Sequence, residues 1–115
     1  MKKKHRLRRG SDFQRILATP RIYSGSTLLA FATAHSAAEP TSPTIKVGIG
    51  VSRRVGRAVD RNRVRRRMRE AVRNRLTSEI EPIRDVVLIA RPAALRVSIR
   101  VIEREVELAF RRIRS

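Results

Sequence analysis

The residues with chemistry to offer in this chain are arginines, and one stretch gathers them. From Ser52 to Arg75 the sequence reads SRRVGRAVDRNRVRRRMREAVRNR, with eleven arginines against two acids, Asp60 and Glu70. That stretch carries +9 of the chain's formal +18. A guanidinium is a planar fork of N–H donors that stays charged at neutral pH and matches phosphate oxygens and base edges. The chemistry on offer is recognition of a polyanion.

The spacing says how such an array is held. Val64, Met68, Ala71, Val72 and Leu76 recur at intervals of three and four, which lines one face of an α-helix. At roughly 100° per residue, Asn62, Arg66, Arg69 and Arg73 fall in a row on the opposite face, with Arg61 and Arg65 near the edge of the apolar arc. Asp60 is the expected N-cap, since its carboxylate can accept from orphan amides and suits the helix dipole. The helix is therefore expected to run from near Asp60 to near Thr77. A merely solvated face usually mixes signs to limit self-repulsion. Here almost nothing balances the arginines, and such charge destabilises a fold until a polyanion neutralises it.

Just upstream, Ser52, Arg53 and Arg54 precede Gly56, which permits a tight turn, and Arg57 continues the basic run. A hydroxyl, guanidinium groups and helix-start amides gathered there would suit backbone phosphates. Taken singly, a serine and a glycine at such a place serve the turn alone.

Catalysis by the chain itself finds no support. Phosphodiester cleavage by protein groups wants clustered carboxylates holding metal ions, or paired histidines with a lysine. The two histidines, His5 and His35, lie in a basic arm and an expected loop, and the acids are scattered or interspersed with arginine. No P-loop, metal-ligand spacing or nucleophile elbow is present. The expectation is no catalytic residue and no metal or other cofactor bound by the protein.

The chain has 115 residues, which suits one domain with a modest core. With three Phe, one Tyr and no Trp that core must be mainly aliphatic, and with no cysteine it has no disulfide or thiolate metal site. No apolar run approaches the roughly 18 residues of a membrane span. The opening MKKKHRLRRG is not followed by a hydrophobic stretch, against a secretory signal. A soluble intracellular protein, cytoplasmic in location, is expected. A membrane-surface role is the weaker option, because such helices pair basic faces with Trp, Phe or Leu and this one offers small aliphatics.

The elements that must position the arginines follow in order. Residues 1–10 read as a basic arm. Ser11 and Gln14 have the form of a capping box, with Phe13, Ile16 and Leu17 at helical spacing and a stop before Thr19-Pro20. Taken alone, Phe13 and Leu17 read as ordinary core. Thr27 to Thr33 reads as a strand, with a further short strand around Arg21 to Ser24, and 34–44 as a flexible loop. Ile45, Val47, Ile49 and Val51 alternate with Lys46, Gly48 and Gly50, the clearest strand in the chain; its glycine face admits close approach of another group. If Lys46 shares that face it adds a positive charge there. Residues 79–82 connect to the short buried strand Asp85 to Ala90, closed by Arg91-Pro92. Ser98 caps a last helix whose buried stripe is Ile102, Val106, Ala109, Phe110 and Ile113. Glu103, Glu105 and Glu107 mix with its arginines and read as a solvated face. The expected fold is an α+β sandwich, helices packed on a small sheet.

The stretch VSRRVGRAVDRNRVRRRMREAVR resembles the signature of the bacterial ribonuclease P protein subunit, with Gly56, Ala58, Val59, Arg61, Asn62, Arg63, Arg66 and Arg69 in register. Arg6-Leu7 followed by Ser11-Asp12-Phe13 resembles the family's opening helix, and DVVLIARPAA its last strand. Nearly the whole chain is covered, apart from 34–44.

That resemblance implies a two-layer α/β sandwich with a small mixed sheet, in the order α-β-β-(β)-α-β-α, and a left-handed crossover into the central helix. It implies an accessory subunit of an endoribonuclease whose catalytic RNA carries the chemistry and requires Mg2+, and whose substrate is precursor tRNA cut to release the 5′ leader. No membrane and no protein partner is implied. Arg61, Asn62, Arg63, Arg65, Arg66 and Arg69 would face the catalytic RNA, flanked by Arg57 and Arg73. Phe13, Leu17, Phe31 and Lys46 would line a cleft for the leader, with Ser52 beside it and Arg53 and Arg54 at its mouth. The rival reading is a ribosomal or general structured-RNA-binding protein with no role in tRNA processing. A DNA-binding module is less suited, since an arginine helix with one Asn is biased toward phosphate rather than base edges.

Overall fold

The computed structural model describes residues 10–34, 46–75 and 84–114. The basic arm short of Gly10, the loop beyond Ala34, Leu76, Thr77 and the 79–82 connector lie outside the described residues.

The first helix, α1 (Gly10–Leu17), starts one residue before Ser11, so Ser11 stands inside the helix rather than capping it. It ends where Pro20 bars Thr19 from helical geometry. The Thr19 amide and hydroxyl both donate to the Ile16 carbonyl, at 3.0 and 2.6 Å, and so satisfy an end the helix cannot. Two strands follow, β1 (Tyr23–Ser24) and β2 (Leu28–Ala34), then β3 (Lys46–Val51), helix α2 (Ala58–Arg75), β4 (Arg84–Ala90) and helix α3 (Ile99–Arg114). Short 3-10 turns, Arg53–Val55 and Pro92–Leu95, precede α2 and α3.

The sheet order is β1-β2-β4-β3. β1 and β4 both pair antiparallel with β2, whereas β3 runs parallel to β4 with Val47 opposite Val86 and Ile49 opposite Leu88. Parallel neighbours cannot be joined by a tight turn. The connection from β3 to β4 is α2, so the arginine helix is a structural crossover and cannot be removed without losing the sheet.

Alternation along each strand sends one set of side chains to each face. Leu28, Ala30, Ala32, Val47, Val86, Leu88 and Ala90 pack with Val64, Met68, Ala71 and Val72 of α2 and with Ile102, Val106, Ala109, Phe110 and Ile113 of α3 in one buried cluster. All five residues expected on the buried stripe of α3 are there, and all four described residues of the α2 stripe. On the opposite face α1 lays Ile16 against Val87, with Phe13, Phe31 and Ile89 half-buried around them.

Two buried carboxylates pin the edges of this arrangement. Asp85, 3% exposed on the α1 face of β4, accepts from Arg15 Nη2 at 2.7 Å. Glu105, 7% exposed, accepts from Tyr23 Oη at 3.1 Å, Ser26 Oγ at 2.9 Å and the Thr27 amide at 3.0 Å. The sequence expectation of a solvated Glu105 is thereby corrected. A buried carboxylate needs donors, and the β1–β2 turn brings three to it from about eighty residues earlier.

Candidate nucleic-acid interface

The arginine array begins where β3 ends. Ser52 donates its amide to the Ala90 carbonyl at 3.1 Å, which ties it to β4. Its Oγ accepts from the Arg54 amide at 3.2 Å, capping the 3-10 turn that carries Arg53 and Arg54. Val55 is buried under this turn, while both arginines are exposed.

Gly56 then adopts φ 141° and ψ −145°, a region reserved for glycine, and reverses the chain into α2. The helix starts at Ala58, two residues before the expected N-cap. The Arg61 amide donates to the Arg57 carbonyl at 2.9 Å, so Arg57 holds the cap position. Asp60 stands in the first turn. Its carboxylate folds back over Gly56, where a Cβ would lie 2.8 Å from Oδ2. The expectation fails because the glycine reversal lets the helix begin as soon as the turn is complete. An acid in the first turn still has the sign the dipole favours.

Along α2 the sequence-derived faces hold except at Arg69, expected in the outward row and found half-buried. Asn62, Arg63, Arg66 and Arg73 are exposed, as is Arg57, while Arg61, Arg65 and Arg69 are half-buried at the margin. Arg65 donates to Asn62 Oδ1 at 2.9 Å, which orients that amide along the crest. Glu70 pairs with Arg73 and draws the C-terminal end of the crest toward neutrality. Arg67 takes a different role. Its guanidinium donates to the Val97 carbonyl, tying α2 to the segment before α3. The two flanks of α2 thus differ: Arg67 and Asn74 face α3, and the crest faces away.

The expected cleft residues are brought together in part. The Phe13 ring lies on β3 at Gly48, where a Cβ would come within 2.4 Å of Cζ. Only a glycine allows that ring to sit so low. Phe31 shares the cluster with Phe13, and Leu17 is 41% exposed at the end of α1. Lys46 opens β3 opposite Asp85 in the register. Phe13 and Phe31 lie on the α1 face of the sheet and α2 covers the other face, with Ser52 to Arg54 leading from the end of β3 toward α2.

Two features escape a reading of the sequence. Val59, 72% exposed in the first turn of α2, places an apolar side chain among the arginines. Its position on the polar side of the helical projection is the available signal. The Arg15–Asp85 pair fixes α1 over the sheet, and an acid opening the apolar run DVVLIA is the hint that a cation must meet it.

Comparison with known proteins agrees with this layout. The protein-family profile described as Ribonuclease P matches residues 1–114. The ribonuclease P protein component of Clostridioides difficile strain 630 is 30% identical over 106 residues, covering 92% of this chain and 89% of that protein. That of Bacillus cereus strain G9842 is 28% identical over 112 residues, 97% of this chain and 93% of that protein. The solved RNase P protein from Thermotoga maritima superposes with TM-score 0.74 at 23% identity, covering 96% of this chain and 98% of that one. The Staphylococcus aureus RNase P protein gives 0.73 at 24% identity, with 93% of each chain covered. A small mixed sheet packed by α1, α2 and α3, an arginine crest on the crossover helix and a family match over almost every residue lead to one conclusion: the chain belongs to the ribonuclease P protein family.

Proposed function

We propose that the chain serves as the protein subunit of a ribonuclease P ribonucleoprotein, binding the catalytic RNA and the 5′ leader of precursor tRNA to promote 5′ maturation. The observation that carries this is the crest of α2: exposed guanidinium groups on a helix locked into the sheet by Val64, Met68, Ala71 and Val72. A rigid cationic surface binds without losing much freedom, so the gain from neutralising phosphates is retained.

In this reading Arg61, Asn62, Arg63, Arg65, Arg66 and Arg69 contact the catalytic RNA, with Arg57 and Arg73 beside them. Phe13 and Phe31 present half-covered rings on which unpaired leader bases stack, while Leu17 and Lys46 complete the cleft and Ser52, Arg53 and Arg54 stand at its mouth. The Mg2+ ions belong to the RNA, which performs the hydrolysis. The protein contributes phosphate neutralisation and preference for precursor over mature tRNA.

The test is turnover of precursor tRNA by the cognate RNA at low Mg2+, with and without this protein. Stimulation is expected, and its absence discards the assignment. A long leader should be bound more tightly by the holoenzyme than a very short one; equal affinity would point to general RNA binding. Arg66→Ala with Arg69→Ala should weaken RNA binding with the fold retained. The double variant should also flatten the logarithmic salt dependence by roughly 0.7 to 0.9 for each phosphate it no longer neutralises.

A further inference from the structure

In sequence, Glu103, Glu105 and Glu107 offset the arginines of α3. In three dimensions two of those acids are drawn away from its outer face. Glu105 is buried beneath the β1–β2 turn. Glu103 turns toward α2, where Oε2 accepts from Asn74 Nδ2 at 2.6 Å and Oε1 lies 3.9 Å from Arg75. What remains outward is Glu107 among Arg100, Arg104 and Arg111. With Arg75 from the end of α2 and Leu108, they line a groove of about 430 Å3. Glu107 is shared, 3.6 Å from Arg75 and 3.0 Å from Arg111. Among the described residues no acid pairs with Arg100 or Arg104, which stand one turn apart and repel each other.

We propose that this groove is a second polyanion site, taking the phosphodiester backbone of RNA at a place separate from the crest of α2. The proposal deepens the ribonucleoprotein reading and rests on it for the identity of the polyanion. Four guanidinium groups against Glu107, with Glu103 reaching Arg75 from the side of α2, leave the groove cationic. The shared Glu107 occupies Arg75 and Arg111, so Arg100 and Arg104 are the forks left to a ligand. Its negative charge also directs an incoming phosphate toward Arg100 and Arg104, where forked donors can engage two oxygens at once.

The test uses the full chain, isotopically labelled, titrated with a short RNA hairpin in the absence of any ribozyme. Arg100→Gln with Arg104→Gln should lower hairpin affinity about three- to tenfold at moderate salt and reduce the logarithmic salt slope by roughly 0.7 to 0.9 for each phosphate left without its cation. Glu107→Gln should raise affinity, an effect of opposite sign that loss of folding cannot produce. Amide resonances of 100–111 should shift on titration even when Arg66 and Arg69 are replaced by Gln. Unchanged affinity in the Arg100/Arg104 variant, or shifts confined to α2, overturns the groove as an RNA site. Tighter binding of a polyglutamate peptide than of the hairpin at matched charge overturns it in favour of an acidic protein partner. These readouts are independent of Mg2+-dependent turnover, so the groove and the ribonucleoprotein assignment can fail separately.

Discussion

On one face of the sheet, eighteen buried side chains from β2, β3, β4, α2, α3 and the two 3-10 turns form a single apolar cluster. On the other, Ile16 and Val87 are the fully buried pair among the described residues, and Phe13, Phe31 and Ile89 around them remain half-covered. The first face fixes the backbone and holds α2 rigid beneath its arginines. The second leaves aromatic surface within reach of a ligand. Burial is thus unequal on the two sides of the four strands, with the arginine helix on the thick side and α1 as the thin cover of the other.

That contrast can be broken experimentally. Phe110→Ala, on the thick face, should cost about 3–5 kcal/mol in urea unfolding, the usual range for a large ring removed from a core. Glu105→Ala should cost about 1–3 kcal/mol, because it leaves the buried Thr27 amide without its acceptor. Phe13→Ala, on the thin face, should cost about 1 kcal/mol, since a half-covered ring gives up only part of its transfer free energy. It should nonetheless erase most of the preference for long leaders. A loss of stability equal to that of Phe110→Ala would make Phe13 core and remove the distinction.

The smallest effect concerns Tyr23. Partial burial, and next the nearby Glu105 carboxylate that accepts its hydrogen bond, push its phenol up to about 12 from the ordinary 10. Between those values the unfolded chain has released the proton while the folded one retains it. The contribution is therefore complete below pH 10 and lost as pH rises toward 12. Melting temperature should fall across that window, and Tyr23→Phe should show a shallower fall; identical profiles would separate Tyr23 from Glu105.

The sequence reveals most where the signal is local. Val64, Met68, Ala71 and Val72 at helical spacing define the buried side of α2, and its exposed crest follows as the complement. Alternation at Val47, Ile49 and Val51 defines β3, and its glycines signal close approaches that prove to be the Phe13 ring at Gly48 and Ile89 at Gly50. What stays hidden depends on distant partners. Glu105 looks like one more acid on a charged helix until Tyr23, Ser26 and Thr27 are folded against it, and Asp85 meets Arg15 across seventy residues. The start of α2 falls two residues ahead of expectation because the Gly56 reversal lets Arg57 take the cap position before Asp60 is reached. Neither the strand order nor the withdrawal of Glu103 toward Asn74 has any periodicity to announce it.

β3 is an outer strand, and among the described residues no other strand pairs with its far edge. Open edges invite pairing between copies. A molecule with a formal charge of +18 keeps its copies apart by mutual repulsion, so dispersal and attraction of a polyanion share one source. The hazard should then peak at the point of charge equivalence during assembly, where turbidity is expected to rise and then clear once polyanion is in excess.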